Sequence, residues 1–137
     1  MIGILIVSHG AFGEALIRCA GHVLGKRPLR VHQVGVTVHD DPDAMLVQAR
    51  ELVRQLDDGD GVLVFTDILG ATPSNIASRL LKAGKIEGVS GVSLPMLIRA
   101  LTYRDEPLAA VVSKVMSAAQ ECTVHIECES SNATSGS

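Results

Sequence analysis

The sequence predicts a single α/β domain of three layers, a mainly parallel open sheet with helices on both faces. Three observations carry the prediction. Short aliphatic runs such as Ile4-Leu5-Ile6-Val7 and Val62-Leu63-Val64-Phe65 read as strands buried on both faces, as parallel strands are. Segments with helical apolar spacing alternate with them, which builds βαβ units. Two of the runs stop at polar residues, Ser8-His9 and Thr66-Asp67, at the carboxyl ends where open α/β sheets bind ligands.

In chain order, Ile2 to Val7 is the first strand and delivers Ser8 and His9 to the surface. Phe12 to Leu24 is a helix, with Ala15, Leu16, Cys19, Ala20, Val23 and Leu24 on one stripe, and Gly25 followed by Pro28 ends it. Leu29 to Val38 is the second strand. Asp41-Pro42-Asp43 opens a helix through a capping acid, a proline in the first turn and a second acid at the positive dipole end; it runs to Asp57. Asp58-Gly59-Asp60-Gly61 breaks it, and Val62 to Thr66 is the third strand. Thr72 caps the next helix, with Pro73 in its first turn, and Gly84 stops it. Ile86 to Ser93 is a fourth strand weakened by Gly88 and Gly91; helices follow from Pro95 to about Tyr103 and from Leu108 to Gln120, then a short strand from Cys122 to Cys128. The domain spans residues 1–128, and residues 129–137, small and polar, read as a disordered tail.

Composition excludes several classes. A formal net charge of −3 with no basic run argues against duplex DNA, and one Tyr, two Phe and no Trp remove the platforms on which single strands stack. The partner is a small molecule or a protein, not a nucleic acid. No apolar stretch approaches the roughly 18 residues of a membrane span. Met1 to Val7 lacks a basic n-region and a small-residue cleavage site, so it does not read as a leader. Cys19, Cys122 and Cys128 form no CxxC pair, and a sequence with no disulfide framework points to the cytoplasm.

If the first and third strands are neighbours, His9 and Asp67 stand at the same switch point. A carboxylate beside an imidazole fixes the ring's tautomer and orientation and leaves the second ring nitrogen as a nucleophile. Ile68-Leu69-Gly70-Ala71-Thr72-Pro73 follows: small residues that let a ligand approach the backbone, then a helix start with unpaired N–H groups, which suits an anion. Nucleophile, orienting acid and anion cradle on one edge are what histidine phosphorylation requires, and no cofactor is needed.

Ser8-His9-Gly10, Thr66-Asp67-Ile68-Leu69-Gly70-Ala71-Thr72-Pro73-Ser74-Asn75 and Gly91-Val92-Ser93-Leu94-Pro95-Met96 together resemble the mannose-family IIA domain of the bacterial phosphoenolpyruvate:sugar phosphotransferase system, over Met1 to about Cys128. The resemblance implies a phosphocarrier. His9 matches the histidine that accepts a phosphoryl group on Nε2 from HPr and donates it to a IIB domain. Asp67 matches the acid bonded to Nδ1, and Thr72, with Gly10, Gly70 and Ala71 around it, matches the position that holds the phosphoryl group. It also implies a homodimer and a last strand that runs antiparallel, a role for Cys122 to Cys128. A membrane is reached only indirectly, through a IIC/IID transporter. Because no linker to IIB or IIC follows, sugar transport is not implied by the chain itself, and a regulatory module switched by His9 phosphorylation is one alternative. The phosphotransferase subunit of dihydroxyacetone kinase is another. A nucleotide-binding enzyme is disfavoured, since neither GxGxxG nor GxxxxGK[ST] occurs.

The remaining candidates have plainer readings. His22, His32 and His125 are solvated or packed rings, while His39 leaves the second strand on the side of His9, where a metal site with His9 and Asp67 is conceivable in ligand type but unsupported by spacing. Arg99 and Arg104 read as solvating charges on a helix rather than as contacts to HPr, and Met96 as core filling.

Overall fold

The computed structural model describes residues 1–129, so the predicted tail, apart from Glu129, lies outside the described residues. Among the described residues nine elements follow one another, strands and helices alternating as far as α4: β1 (Gly3–His9), α1 (Phe12–Leu24), β2 (Val31–Val36), α2 (Pro42–Leu56), β3 (Val62–Thr66), α3 (Thr72–Ser78), β4 (Ile86–Ser90), α4 (Leu94–Thr102) and α5 (Leu108–Glu121). The sheet order is β2-β1-β3-β4 with every strand pair parallel, so β1 and β3 are neighbours and the strand order reverses at β1.

Side-chain alternation divides the core between the two faces of the sheet. Ile4, Ile6, Leu63 and Phe65 point to the face covered by α1, α4 and α5, where Ile17, Leu97 and Val111 meet them. Leu5, Val7, Val62 and Val64 point to the opposite face, under Leu46, Ala49 and Leu56 of α2 and Ile76 of α3. Each central strand is therefore buried on both sides, which is why it reads as an unbroken aliphatic run. Met96 is core, as expected.

Local chemistry fixes the helix ends. Asp41 caps α2, its carboxylate accepting the Asp43 N–H at 3.2 Å, and Gly25 closes α1 in the left-handed conformation at φ 87°. At α4 the cap is Ser93, whose hydroxyl accepts the Met96 N–H at 3.4 Å, so the helix begins at Leu94 with Pro95 inside its first turn.

Three expectations are corrected. Cys122 to Cys128 is not a strand: beyond Glu121 the chain to Cys128 is irregular and exposed without pairing to the sheet, and the sheet has no antiparallel edge strand among the described residues. Its alternating Val124 and Ile126 have a strand-like pattern, but a strand needs an edge to pair with, and β2 and β4 do not receive it here. Helix α3 stops at Ser78, well before Gly84, because the N–H groups of Arg79 and Leu80 turn back to the carbonyls of Ile76 and Ala77, three residues away, at 3.1 and 2.9 Å.

Arg104 is not a solvated surface charge; it is 7% exposed at the amino end of the sheet. Its guanidinium donates to the carbonyls of Ile2 (2.7 and 3.2 Å), Leu29 (2.6 Å) and Arg30 (3.0 Å), riveting the segments that lead into β1 and β2. Burial pulls its pKa down, and Arg30 nearby acts the same way. Arg99 is a helix-surface charge, paired with Glu121 at 3.1 Å.

Candidate functional site

The register Val7↔Thr66 carries β1 and β3 side by side to their carboxyl ends, so the residues that follow, His9 on one strand and Asp67 on the other, come together. His9 Nδ1 lies 2.8 Å from Asp67 Oδ2 across 58 positions of sequence. The same oxygen accepts the backbone N–H of His9 at 3.0 Å, and Oδ1 accepts the N–H of Ile68 at 3.0 Å. The imidazole is thus held at the ring and at its own main chain. Its side chain is 54% exposed, against 14% for the carboxylate, so the acid is tucked beneath a ring that faces outward.

Burial, the largest single influence on Asp67, pushes its carboxyl up. The donors from the His9 backbone and ring, together with the backbone of Asp67 itself and the charge of His9, outweigh it and hold the group below the ordinary aspartate value of 3.8. Asp67 is therefore a carboxylate at neutral pH. With Nδ1 occupied by that carboxylate, Nε2 is the nitrogen left for chemistry.

The turn after His9 depends on two glycines. Gly10 sits at φ 52°, a left-handed conformation that glycine adopts without strain, and its N–H donates to the Val36 carbonyl at 3.0 Å. Gly35 of β2 lies directly below: a Cβ there would fall 2.1 Å from the Gly10 carbonyl oxygen. Ser8, expected at the surface, is fully buried, because neighbours on a strand face opposite ways; its hydroxyl accepts the Gly13 N–H at 3.1 Å and ties the end of β1 to the start of α1.

On the β3 side, Gly70 takes φ 87° and donates its N–H to Ser74 Oγ at 2.8 Å, while the Ser74 hydroxyl donates to the Ala71 carbonyl at 3.0 Å. One serine in the first turn of α3 therefore clasps the whole glycine loop. Thr72 is not the helix cap. It is the first helical residue, preceded by Ala71, which has no capping side chain, and its exposed hydroxyl makes no hydrogen bond among the described residues. The N–H groups of Gly10 and Gly70 are both already engaged, so these two positions offer backbone shape and room, not free donors.

Sequence reasoning did not single out Ser74 for this clasp, nor Gly35 at all. The local signal for Ser74 was available, a serine four residues beyond Gly70 at a helix start; the role of Gly35 rests on a contact with a residue 25 positions away and leaves no local trace. His39 is exposed in the loop after β2, where its N–H donates to Thr37 Oγ1 at 3.3 Å. Among the described residues no group of three or more His, Cys, Asp or Glu side chains is placed to hold a metal ion, and no helix is long and apolar enough to cross a membrane. His22, His32 and His125 are exposed.

Residues 3–117 match the family model described as EIIA-man, PTS system fructose IIA component. The PTS system mannose-specific EIIAB component of Escherichia coli K12 is 30% identical over 106 residues, 77% of this chain but 32% of that protein, so the chain spans about a third of that relative's length. The PTS system fructose-specific EIIA component of Bacillus subtilis is 24% identical over 135 residues, covering 93% of this chain and 90% of that one. Among solved structures, phosphotransferase system component EIIA from Streptococcus agalactiae superposes with a TM-score of 0.81 at 30% identity, over 91% of this chain and 97% of that one. With its parallel fold and a match over most of its length, the chain belongs to the EIIA-man family, the family described as PTS system fructose IIA component.

Proposed function

We propose that the chain is a cytoplasmic phosphohistidine carrier in which His9 Nε2 accepts the phosphoryl group of phospho-HPr and passes it to a IIB-type acceptor. The observation that carries this reading is the contact of His9 Nδ1 with Asp67 at 2.8 Å on a ring that remains 54% exposed. Asp67 keeps the Nδ1 proton and turns the Nε2 lone pair outward. The Nε2–P bond forms as the donor's N–P bond breaks, and the positive charge that the modified ring carries is balanced by the carboxylate below it. Phosphoryl transfer leaves the protein little covalent work beyond the nucleophile, so positioning and charge balance supply the catalysis.

In this reading the phosphoryl oxygens meet the Thr72 hydroxyl and the main chain around Ala71, while Gly10 and Gly70 keep side chains out of their path. The free Thr72 hydroxyl and the Ser74 clasp support the assignment. Exposed Phe12, Val38, Ile68 and Leu69 all follow the carboxyl ends of strands, and an apolar surround for a protruding histidine suits protein partners rather than a small substrate. The active form is a homodimer, and a membrane is reached only through a IIC/IID transporter.

Incubation of the chain with phosphoenolpyruvate, enzyme I and HPr tests the reading: an acid-labile mass gain of one phosphate is expected on the wild type and none on His9→Ala. Absence of any gain on the wild type contradicts it.

A further inference from the structure

At the opposite end of the sheet from His9, a groove of about 380 Å³ opens between the last turns of α2 and the turn that follows α3, at the entry to β4. Four cations line it, Arg50 and Arg54 from α2 and Arg79 and Lys82 from the turn, and no carboxylate lines it with them. In a chain of net charge −3 that gathers a third of the 12 Lys and Arg residues around one groove. Its floor is apolar, with Val53 and Leu80 buried and Ile86 beside them.

The cations are presented by fixed backbone. Lys82 exchanges two main-chain hydrogen bonds with Ile86, at 3.0 and 2.8 Å, and Arg50 Nη2 reaches the Arg79 carbonyl at 3.5 Å across the groove. Their charges are only lightly engaged. Arg54 pairs with Glu51 at 3.2 Å and Arg79 with Asp43 at 3.5 Å, both exposed contacts of small energetic weight, and Lys82 and Arg50 make no ion pair among the described residues.

We infer that this groove is a binding site for an organic polyphosphate of nucleoside-diphosphate type. Guanidinium forks bind phosphate oxygens in pairs, with Lys82 as an added point charge, and the apolar floor takes the uncharged body. The volume is that of a small-molecule site. Helix α3 lies between the two ends, from Thr72 beside the phosphoryl loop to Ser78 next to Arg79, so an occupant would bear on the helix that shapes the His9 site.

Calorimetry on the full chain in low salt, with ADP, pyrophosphate and adenosine as separate probes, tests the inference. One ADP per chain is expected to bind saturably, about tenfold or more tighter than pyrophosphate or adenosine alone. The Arg79→Gln/Lys82→Gln double variant, with a melting curve like wild type since both side chains are exposed, is expected to weaken ADP by at least about tenfold. His9→Ala is expected to leave ADP binding unchanged. The inference is overturned if ADP shows no saturable binding, if pyrophosphate binds as well as ADP, or if binding survives the double variant.

Discussion

Asp67 grips His9 twice with one oxygen: Oδ2 receives both the ring at 2.8 Å and the His9 main-chain N–H at 3.0 Å, while Oδ1 is anchored by the Ile68 N–H at 3.0 Å. The acid therefore sets the ring's direction relative to the strand that carries it. Asparagine has one carbonyl oxygen for donors that now share two carboxylate oxygens. Asp67→Asn is expected to keep the fold and slow phosphoryl uptake by about a hundredfold, measured as the initial rate from phospho-HPr. A rate equal to wild type would remove Asp67 from the mechanism.

The same carboxylate gives a pH signature. Its folded pKa lies below 3.8, so the stability it contributes is fully present above that value and is lost as pH falls through the lower folded value. Wild type is expected to melt above Asp67→Ala at pH 7, with the difference shrinking as the pH is taken below 3.8. A difference that is constant from pH 7 into the acid range would mean that the carboxylate's charge plays no part.

Gly35 carries the turn after His9. A methyl group there meets the Gly10 carbonyl at 2.1 Å, backbone against backbone, so the turn must move. Gly35→Ala is expected to cost about 1–3 kcal/mol in urea unfolding and to depress phosphoryl uptake at temperatures where the variant remains folded. Full activity would show that the turn tolerates displacement.

Arg104 holds main chain, not a partner. Arg104→Met removes the donors from three carbonyls at the amino end of the sheet and is expected to destabilise by about 3 kcal/mol, while the folded variant takes up phosphate at the wild-type rate. A slowed transfer at unchanged stability would contradict its assignment as a rivet.

Elements whose causes are local were legible in the sequence. Phe12–Leu24 and Val62–Thr66 fall where periodicity and glycine punctuation place them, and the neighbouring ends of β1 and β3 bring His9 to Asp67 as the polar strand ends imply. Elements whose causes are distant were not. Alternation from Cys122 to Cys128 satisfies a strand pattern, yet pairing is decided by an available edge. Leu80 and Leu81 continue the apolar spacing of α3 past the point where its hydrogen bonds tighten and end it. Arg104 looks like any helix-end charge until it meets carbonyls 74 to 102 positions away, and Thr72 has the composition of a cap one residue too late to act as one.

The central claim is that Asp67 reserves Nδ1 and leaves Nε2 to take the phosphoryl group. Nitrogen-15 and phosphorus-31 NMR of the phosphorylated, ¹⁵N-histidine-labelled chain tests this most directly. The account predicts a single phosphohistidine, at His9, with phosphorus coupled to Nε2. Phosphorus on Nδ1 of His9, or on His22, His32, His39 or His125, would contradict it.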